Sequence, residues 1–493
     1  MAGLSLQAAR PPKPTHLRIA ESAVSGGARF ADLGAFHAWF SATAERTRMR
    51  VERVPLDRLD GWLTDPATGN LVHRSGRFFS VEGVEVRDPD GPVPSWSQPI
   101  IHQPEVGILG ILVKEFDGVL HCLMQAKNEP GNCNGLQLSP TVQATRSNYT
   151  QVHRGRPVPY LDYFRDTSRH SVLADVRQSE QGAWFYRKRN RNMIVEVTEE
   201  VEELDGFCWL SLGQLHELLT VPDLVNMDAR TVLSCLPFSG PGAGSEPPAG
   251  PGHAFRAALA RSCDPAAGAL HGTGEVLSWI TDVRSLTDLT AERVPLDRVR
   301  GWHRTGGRIT HETGRFFDVV GVGVTAEGRE VGGWMQPVIE PHGTGVIAFM
   351  VKRVGGVLHA LVHARAEPGS SDVVELAPTV QCTPENYDHL PAGARPPLLE
   401  EVLGAGPERI RFDTVLSEEG GRFLNARNRY LIVETGEDAD PGLPGYRWLA
   451  VHQLGELLRH SYYVNVQARS LVACLHSLST PLPTGSRAPR APR

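Results

Sequence analysis

Apolar positions along this chain switch between helical and strand periods, and they do so twice in the same order. "FHAWFSATAERT" from Phe36 and "VLSWITDVRSL" from Val276 set apolar residues three and four apart, which predicts an amphipathic helix near the start of each half. "GRFFSVEGVEVR" from Gly76 alternates and is rich in Val and Phe, the pattern of a half-buried strand. "GILGILVKEFDGVLHCLMQAK" from Gly107 reads as a hairpin turning at Asp117-Gly118, and the second half turns at Gly355-Gly356. Apolar strands follow in "RNMIVEV" from Arg191 and "RYLIVET" from Arg429. Helical spacing returns in "SLGQLHELLTV" from Ser211 and "AVHQLGELLRH" from Ala450, then in "ARTVLSCL" from Ala229 and "ARSLVACL" from Ala468. The expectation is an α+β fold of mixed, mostly antiparallel sheets flanked by helices. Cys235 and Cys474 fall on the apolar face of the closing helices and read as core residues.

The recurrence is literal as well as periodic. "RVPLDRLDGW" at Arg53 returns as "RVPLDRVRGW" at Arg293, and "WSQPII" at Trp96 returns as "WMQPVI" at Trp334. "GVLHCLMQAKNEPGN" at Gly118 answers "GVLHALVHARAEPGS" at Gly356; "LSPTVQAT" at Leu138 answers "LAPTVQCT" at Leu376. "RNRNMIVE" at Arg189 pairs with "RNRYLIVE" at Arg427, and "VNMDARTVLSCL" at Val225 with "VNVQARSLVACL" at Val464. The spacing stays between 238 and 240 positions throughout, so one module was duplicated with almost no insertion. This divides the chain into a tail (1–27), a first module (28–238), a Gly/Pro-rich linker (239–267), a second module (268–479) and a disordered tail (480–493).

Bulk properties narrow the function. A net charge of −6 over 493 residues gives nucleic acid no basic surface to bind. No apolar run approaches the roughly 20 residues of a membrane helix, and the first residues do not read as a secretion signal. The seven cysteines form no C-x-x-C pair, which argues against a zinc site or disulfide framework and fits reduced thiols in a cytoplasm.

Candidate chemistry comes from polar positions kept in both copies. Trp62 and Trp302 follow the shared "RVPLDR" phrase beside a glycine and offer a ring for stacking. Arg77 and Arg315 precede Phe-Phe, read as strand positions, and carry the donor fork that clamps phosphate. Lys127 and Arg365 end a strand just before Glu129 and Glu367 and suit a pocket rim. The best candidate is the polar run from Pro140 to Tyr149, with Ser147, Asn148 and Tyr149, and its copy from Pro378 to Tyr387, with Thr379, Gln381, Thr383, Asn386 and Tyr387. His121 and His359 lie inside strands and read as packed. His363 and Glu375 stand where the first module has Gln125 and Gln137. The second module is therefore expected to hold the acid–base chemistry, through Tyr387, His363 and Glu375. The first is expected to be structural or a second nucleotide site. No glycine-rich phosphate loop is present, because "GAGSEPPAG" lies in the linker.

The ordered set "RVPLDR-x-x-GW", "GRFF", "QP(I/V)I", "PTVQ-x-T" and "RNR-x-(I/L)IVE", carried twice over about residues 28–478, resembles the NDP-hexose 2,3-dehydratases of deoxysugar biosynthesis. The resemblance implies tandem Nudix-like modules, a homodimer, and dTDP-4-keto-6-deoxy-D-glucose as substrate. It further implies loss of the C3 proton and the C2 hydroxyl with no redox cofactor or metal, and a 3,4-diketo product consumed by a separate 3-ketoreductase. Neither copy carries the glutamate-rich box G-x5-E-x7-R-E-x2-E-E that loads Mg²⁺ in Nudix hydrolases. Two other readings stay open at this point: a Nudix-type pyrophosphohydrolase and a non-catalytic nucleotide-sugar scaffold.

Overall fold

The two sequence-legible hairpins organise the molecule. Asp117 and Gly118 take φ of 50° and 79°, and Gly355 and Gly356 take 56° and 78°. Two successive positive φ values give the turn whose twist matches the flanking strands. The strands so joined are Gly107–Phe116 with Val119–Asn128, and Gly345–Val354 with Val357–Ala366. Each hairpin sits inside a seven-stranded sheet. Arg189–Val197 pairs parallel with Gly107–Phe116, and Arg427–Glu434 pairs parallel with Gly345–Val354; the other pairings within these two sheets are antiparallel. The first eight residues of Gly107–Phe116 are buried without alternation, because both faces are covered. Leu109, Ile111 and Val113 pack with Ile19, Leu215 and Val232 of the helices; Ile108 and Leu112 pack on the other face with Phe164 and Trp209.

The computed structural model describes residues 13–149, 157–237, 252–327 and 332–480. Within them two helices stand where the sequence pattern indicates a tail and a linker. Thr15–Val24, expected in the tail, and His253–Ser262, expected in the linker, are equivalent helices. Ile19 and Ala23 join the first core, and Phe255, Ala258 and Leu259 the second. Ser22 Oγ donates to Leu120 O and Ser262 Oγ to Leu358 O, so both helices dock on the hairpin in one manner. Their apolar faces are only a few residues long and adjoin Pro- and Gly-rich sequence, so periodicity does not reveal them. The remainder of the expected linker (239–251) and the C-terminal tail (481–493) lie outside the described residues.

The modules are not side by side but interleaved. Met49–Val54 of the first module pairs antiparallel with Phe317–Ala326 of the second, with Val51 opposite Val324. Thr290–Val294 of the second pairs with Ser80–Arg87 of the first, with Val294 opposite Gly83. Each five-stranded sheet thus borrows one strand. A single core joins the halves, with Leu56, Phe79, Ile101 and Phe185 packed against Leu296, Phe317, Ile339 and Phe423. The Phe185 and Phe423 rings meet at 5.2 Å.

Candidate active site

The shared "EPG" turns explain how one module reaches into the other. Gly131 N donates to Gly420 O at 2.7 Å, and Asn425 N donates to Gly131 O at 2.8 Å. The mirror contact joins Gly369 N to Gly182 O and Arg187 N to Gly369 O, both at 2.7 Å. A Cβ on Gly131 would sit 1.6 Å from Phe423 O, and one on Gly369 1.7 Å from Phe185 O, so only glycine permits the clasp. The clasp delivers the loop 419–422 of the second module onto the sheet of the first. Between them lies a cavity of about 230 Å³.

Four carboxylates, Glu129, Glu180, Asp228 and Glu419, border this cavity together with Lys127, Lys188 and Arg422. Glu419 accepts from Gly421 N at 3.0 Å and from Arg422 N at 2.8 Å. Burial, with the carboxylates of Glu129 and Glu180 nearby, pushes it up to about 7 against the pull of Arg422. A Cβ on Gly421 would lie 2.4 Å from Glu419 Oε1 and 3.6 Å from Glu129 Oε1, so the two carboxylates converge there. Glu129 Oε1 also accepts from Gln143 Nε2 at 2.9 Å and lies 3.7 Å from Lys127 Nζ. Burial, then Glu180 and Glu419, holds the Asp228 carboxyl well above its usual range. Lys188 Nζ donates to Glu105 O at 2.5 Å, and burial, partly offset by Glu180, lowers it to about 8. A site that poises one acid near 7 and one ammonium near 8 can take and give protons at neutral pH.

Aromatic rings and polar groups complete the walls. Trp62 borders the cavity, packs on Phe79 at 4.7 Å and donates its Nε1–H to Met335 O of the second module at 2.8 Å. The Arg422 guanidinium lies 4.2 Å from the Phe79 ring centroid. Ser147 is buried and donates its hydroxyl to Glu105 Oε2 at 2.8 Å.

Of the residues singled out from the sequence, Trp62 and Ser147 line this cavity, beside Lys127 and Glu129. Asn148 and Tyr149 end a one-turn helix, Arg146–Tyr149, directly after it. Arg77 and Arg315 lie in the turns ahead of the strands rather than in them; Arg77 is exposed, and Arg315 Nε meets His389 Nε2 at 3.2 Å. In the second module Arg365 Nε and Gln381 Nε2 both donate to Glu367 Oε1, at 3.2 and 2.8 Å. Asn386 Oδ1 accepts from Phe316 N at 3.1 Å, and Tyr387 packs half-buried against the core of that module. Thr383 precedes the short turn Pro384–Tyr387, and Trp302 donates to Ser97 O of the first module at 3.0 Å. Thr379 is a buried strut: its oxygen accepts from Met350 N at 2.9 Å and its hydroxyl donates to Leu361 O at 2.5 Å.

The two titratable residues that set the second module apart in sequence, His363 and Glu375, lie away from this cavity. His363 stacks on Tyr446 at 4.3 Å, and burial lowers it to about 3, which keeps the ring neutral. Glu375 is buried, with Oε2 accepting from Ser179 Oγ at 2.6 Å, and burial raises it to about 6. Neither borders the cavity. Glu419, Lys188, Asp228 and Arg422 do border it, and their duplicate positions hold Gln181, Ala426, Gln467 and Trp184.

Comparison with known proteins agrees with this duplicated design. The family model described as NDP-hexose 2,3-dehydratase matches residues 33–236 and again 273–475. A dTDP-4-dehydro-6-deoxy-alpha-D-glucopyranose 2,3-dehydratase of Saccharopolyspora spinosa is 54% identical over 467 residues, 94% of this chain and 95% of the relative. Proteins of the same description from Amycolatopsis orientalis and Streptomyces violaceoruber are 49% and 50% identical, covering 89% and 91% of this chain and 89% and 98% of their own lengths.

Proposed function

The chain belongs to the NDP-hexose 2,3-dehydratase family, and on that premise we propose that it removes water across C2 and C3 of dTDP-4-keto-6-deoxy-D-glucose in the cavity shared by its two modules. The observation that carries the reading is the pairing of Glu419 with Lys188 in one buried site. The C3 proton is acidic because it lies next to the C4 ketone. Glu419 is the base that takes it, poised near 7 where a base is both ionised and strong enough. The Lys188 ammonium stabilises the charge that develops on the C4 oxygen. The C2 hydroxyl then leaves, and the resulting enol rearranges to a 3,4-diketo-2,6-dideoxy sugar nucleotide.

Trp62 supplies the apolar face for the nucleotide, and Lys127 and Arg422 offset the pyrophosphate charge. The equivalent positions of the second module, Arg365, Gln381 and Tyr387, keep binding-type residues where Glu419 and Lys188 are replaced by Gln181 and Ala426, and they are assigned to binding rather than elimination. The product is a vicinal diketone with a leaving group at C1, so a 3-ketoreductase is its natural consumer. A cytoplasmic homodimer is the setting assigned to the reaction; among the described residues no helix is long and apolar enough to cross a membrane.

The test is incubation of the purified protein with dTDP-4-keto-6-deoxyglucose in the presence of 1,2-phenylenediamine, which captures vicinal diketones as quinoxalines. A captured sugar lacking one water is the expected result. Recovery of intact substrate, or release of a nucleoside monophosphate, would overturn the reading.

A further inference from the structure

The duplication supplies an internal reference for one group the scheme above leaves unused. Glu180 and Glu418 occupy the same position in the two modules, each after a serine. Glu418 is fully tied: Oε1 accepts from Asn428 Nδ2 and Tyr430 Oη, both at 2.7 Å, and Oε2 accepts from Gln181 Nε2 at 3.0 Å. Glu180 keeps only the first of these contacts, Asn190 Nδ2 to Oε1 at 2.7 Å. The tyrosine is replaced by Asn192, which is turned to Thr231 Oγ1 at 2.6 Å, and the glutamine by Glu419, which cannot donate when ionised. Glu180 Oε2 is therefore buried with no hydrogen-bond partner, on a residue only 6% exposed that borders the cavity. A buried polar atom left unsatisfied is costly unless something else completes it.

We infer that Glu180 is the acid that protonates the departing C2 hydroxyl, its free Oε2 completed by that hydroxyl when substrate binds. The assignment rests on the dehydratase reading. Asn190 donates to Oε1 and so fixes that oxygen as the acceptor, which leaves Oε2 to carry the proton. The groups that face Glu180 are Lys188, Arg469, Glu418, Glu419 and Asp228. Arg469, buried in the closing helix of the second module, donates to Ser179 O at 2.5 Å, which sets the backbone from which Glu180 projects. In the step itself the C3–H electrons form the C2=C3 bond through the C4 enolate. The C2–O bond breaks with its pair on oxygen, and the Oε2 proton completes the water. Glu419 holds the proton from C3; as the enol becomes the ketone, C2 gains a proton, the C3 hydroxyl loses one, and both carboxyls return to their starting states. The net change is one water.

Glu180→Gln keeps the size and the Asn190 contact but cannot give the proton. The experiment compares wild type, Glu180→Gln, Glu418→Gln and Asp228→Asn with dTDP-4-keto-6-deoxyglucose in D₂O. It follows quinoxaline formation and deuterium at C3 of the remaining substrate. The expected result is a fall in kcat of about 10²–10⁴-fold for Glu180→Gln, with substrate that still acquires deuterium at C3, and far smaller loss for Glu418→Gln. Glu180→Gln turning over like wild type would overturn the assignment while leaving the dehydratase reading intact. So would loss of both exchange and elimination, or exchange without elimination appearing in Asp228→Asn instead. Wild-type protein that eliminates no water removes both.

Discussion

Replacing Glu419 with glutamine changes one atom and one charge in the cavity and leaves its volume alone. It also recreates the residue that the other module carries at the same position, Gln181. The carboxylate accepts from two backbone N–H groups, Gly421 at 3.0 Å and Arg422 at 2.8 Å. The amide keeps one acceptor and turns its NH₂ toward the other donor, which costs about 0.5–1.5 kcal/mol for the lost hydrogen bond. Against this, burial and two neighbouring carboxylates already disfavour the ionised form, as its position near 7 shows, so neutralising it offsets part of that cost. Folding stability should therefore move by no more than about 1 kcal/mol in either direction. The catalytic effect is of another size. Removal of a general base costs about 10²–10⁴-fold in kcat, roughly 3–5 kcal/mol of barrier. The assay is steady-state diketone capture alongside a urea melt of the same sample. A variant with near wild-type kcat would refute the assignment of Glu419 as base. A variant that has simply unfolded would refute the stability argument.

Three further outcomes follow from the same geometry. Gly421→Ala places a methyl 2.4 Å from Glu419 Oε1 and should lower kcat by about 10²-fold through misplacement, whereas Ala183→Gly at the duplicate position should leave turnover unchanged. The rate should rise with pH as Glu419 ionises near 7 and fall above about 8 as Lys188 loses its proton; a pH–kcat profile that lacks either limb contradicts the pair. Burial lowers His216 to about 4 and His476 to about 3, so both stay neutral in the fold while the unfolded chain binds protons near pH 6.5. The stability from keeping them neutral is complete above about 6.5 and is lost as pH falls toward 4 and 3. His476→Gln should flatten the urea midpoint between pH 6 and 4, and an unchanged slope would exclude it as the cause.

Much of the fold is legible in the sequence because it is written in local periods. The hairpin at Asp117-Gly118 and the apolar strands after Arg189 and Arg427 follow from side-chain alternation and turn chemistry, which act over a few residues. The exchanged strands Met49–Val54 and Thr290–Val294 do not, because a strand pattern states what it buries and not which partner it pairs with. The candidate site shares that weakness. Lys127 and Glu129 were visible as a kept pair at a strand end, but Glu419 and Arg422 reach the first module only through the exchange and the Gly131–Gly420 clasp. The signal that marks them was present all the same. Between the kept phrases at Ser179 and Arg189, the copies differ at Gln181/Glu419, Trp184/Arg422, Arg187/Asn425 and Lys188/Ala426, where charge is gained or lost. The differences at His363 and Glu375 mark side chains that are held by packing and hydrogen bonding away from the cavity: His363 stacks on Tyr446, and Glu375 is buried against Ser179.

The central claim is that water is eliminated where the two modules meet over the first module's sheet. The most direct measurement is a crystal structure of the full chain with the unreactive 4-hydroxy analogue, dTDP-6-deoxyglucose. The account predicts the hexose within hydrogen-bond reach of Glu180 Oε2, Glu419 and Lys188, with its C2 hydroxyl on Glu180. A hexose seated only beside Arg365, Glu367 and Tyr387 in the second module, with the first cavity holding no sugar, would contradict it.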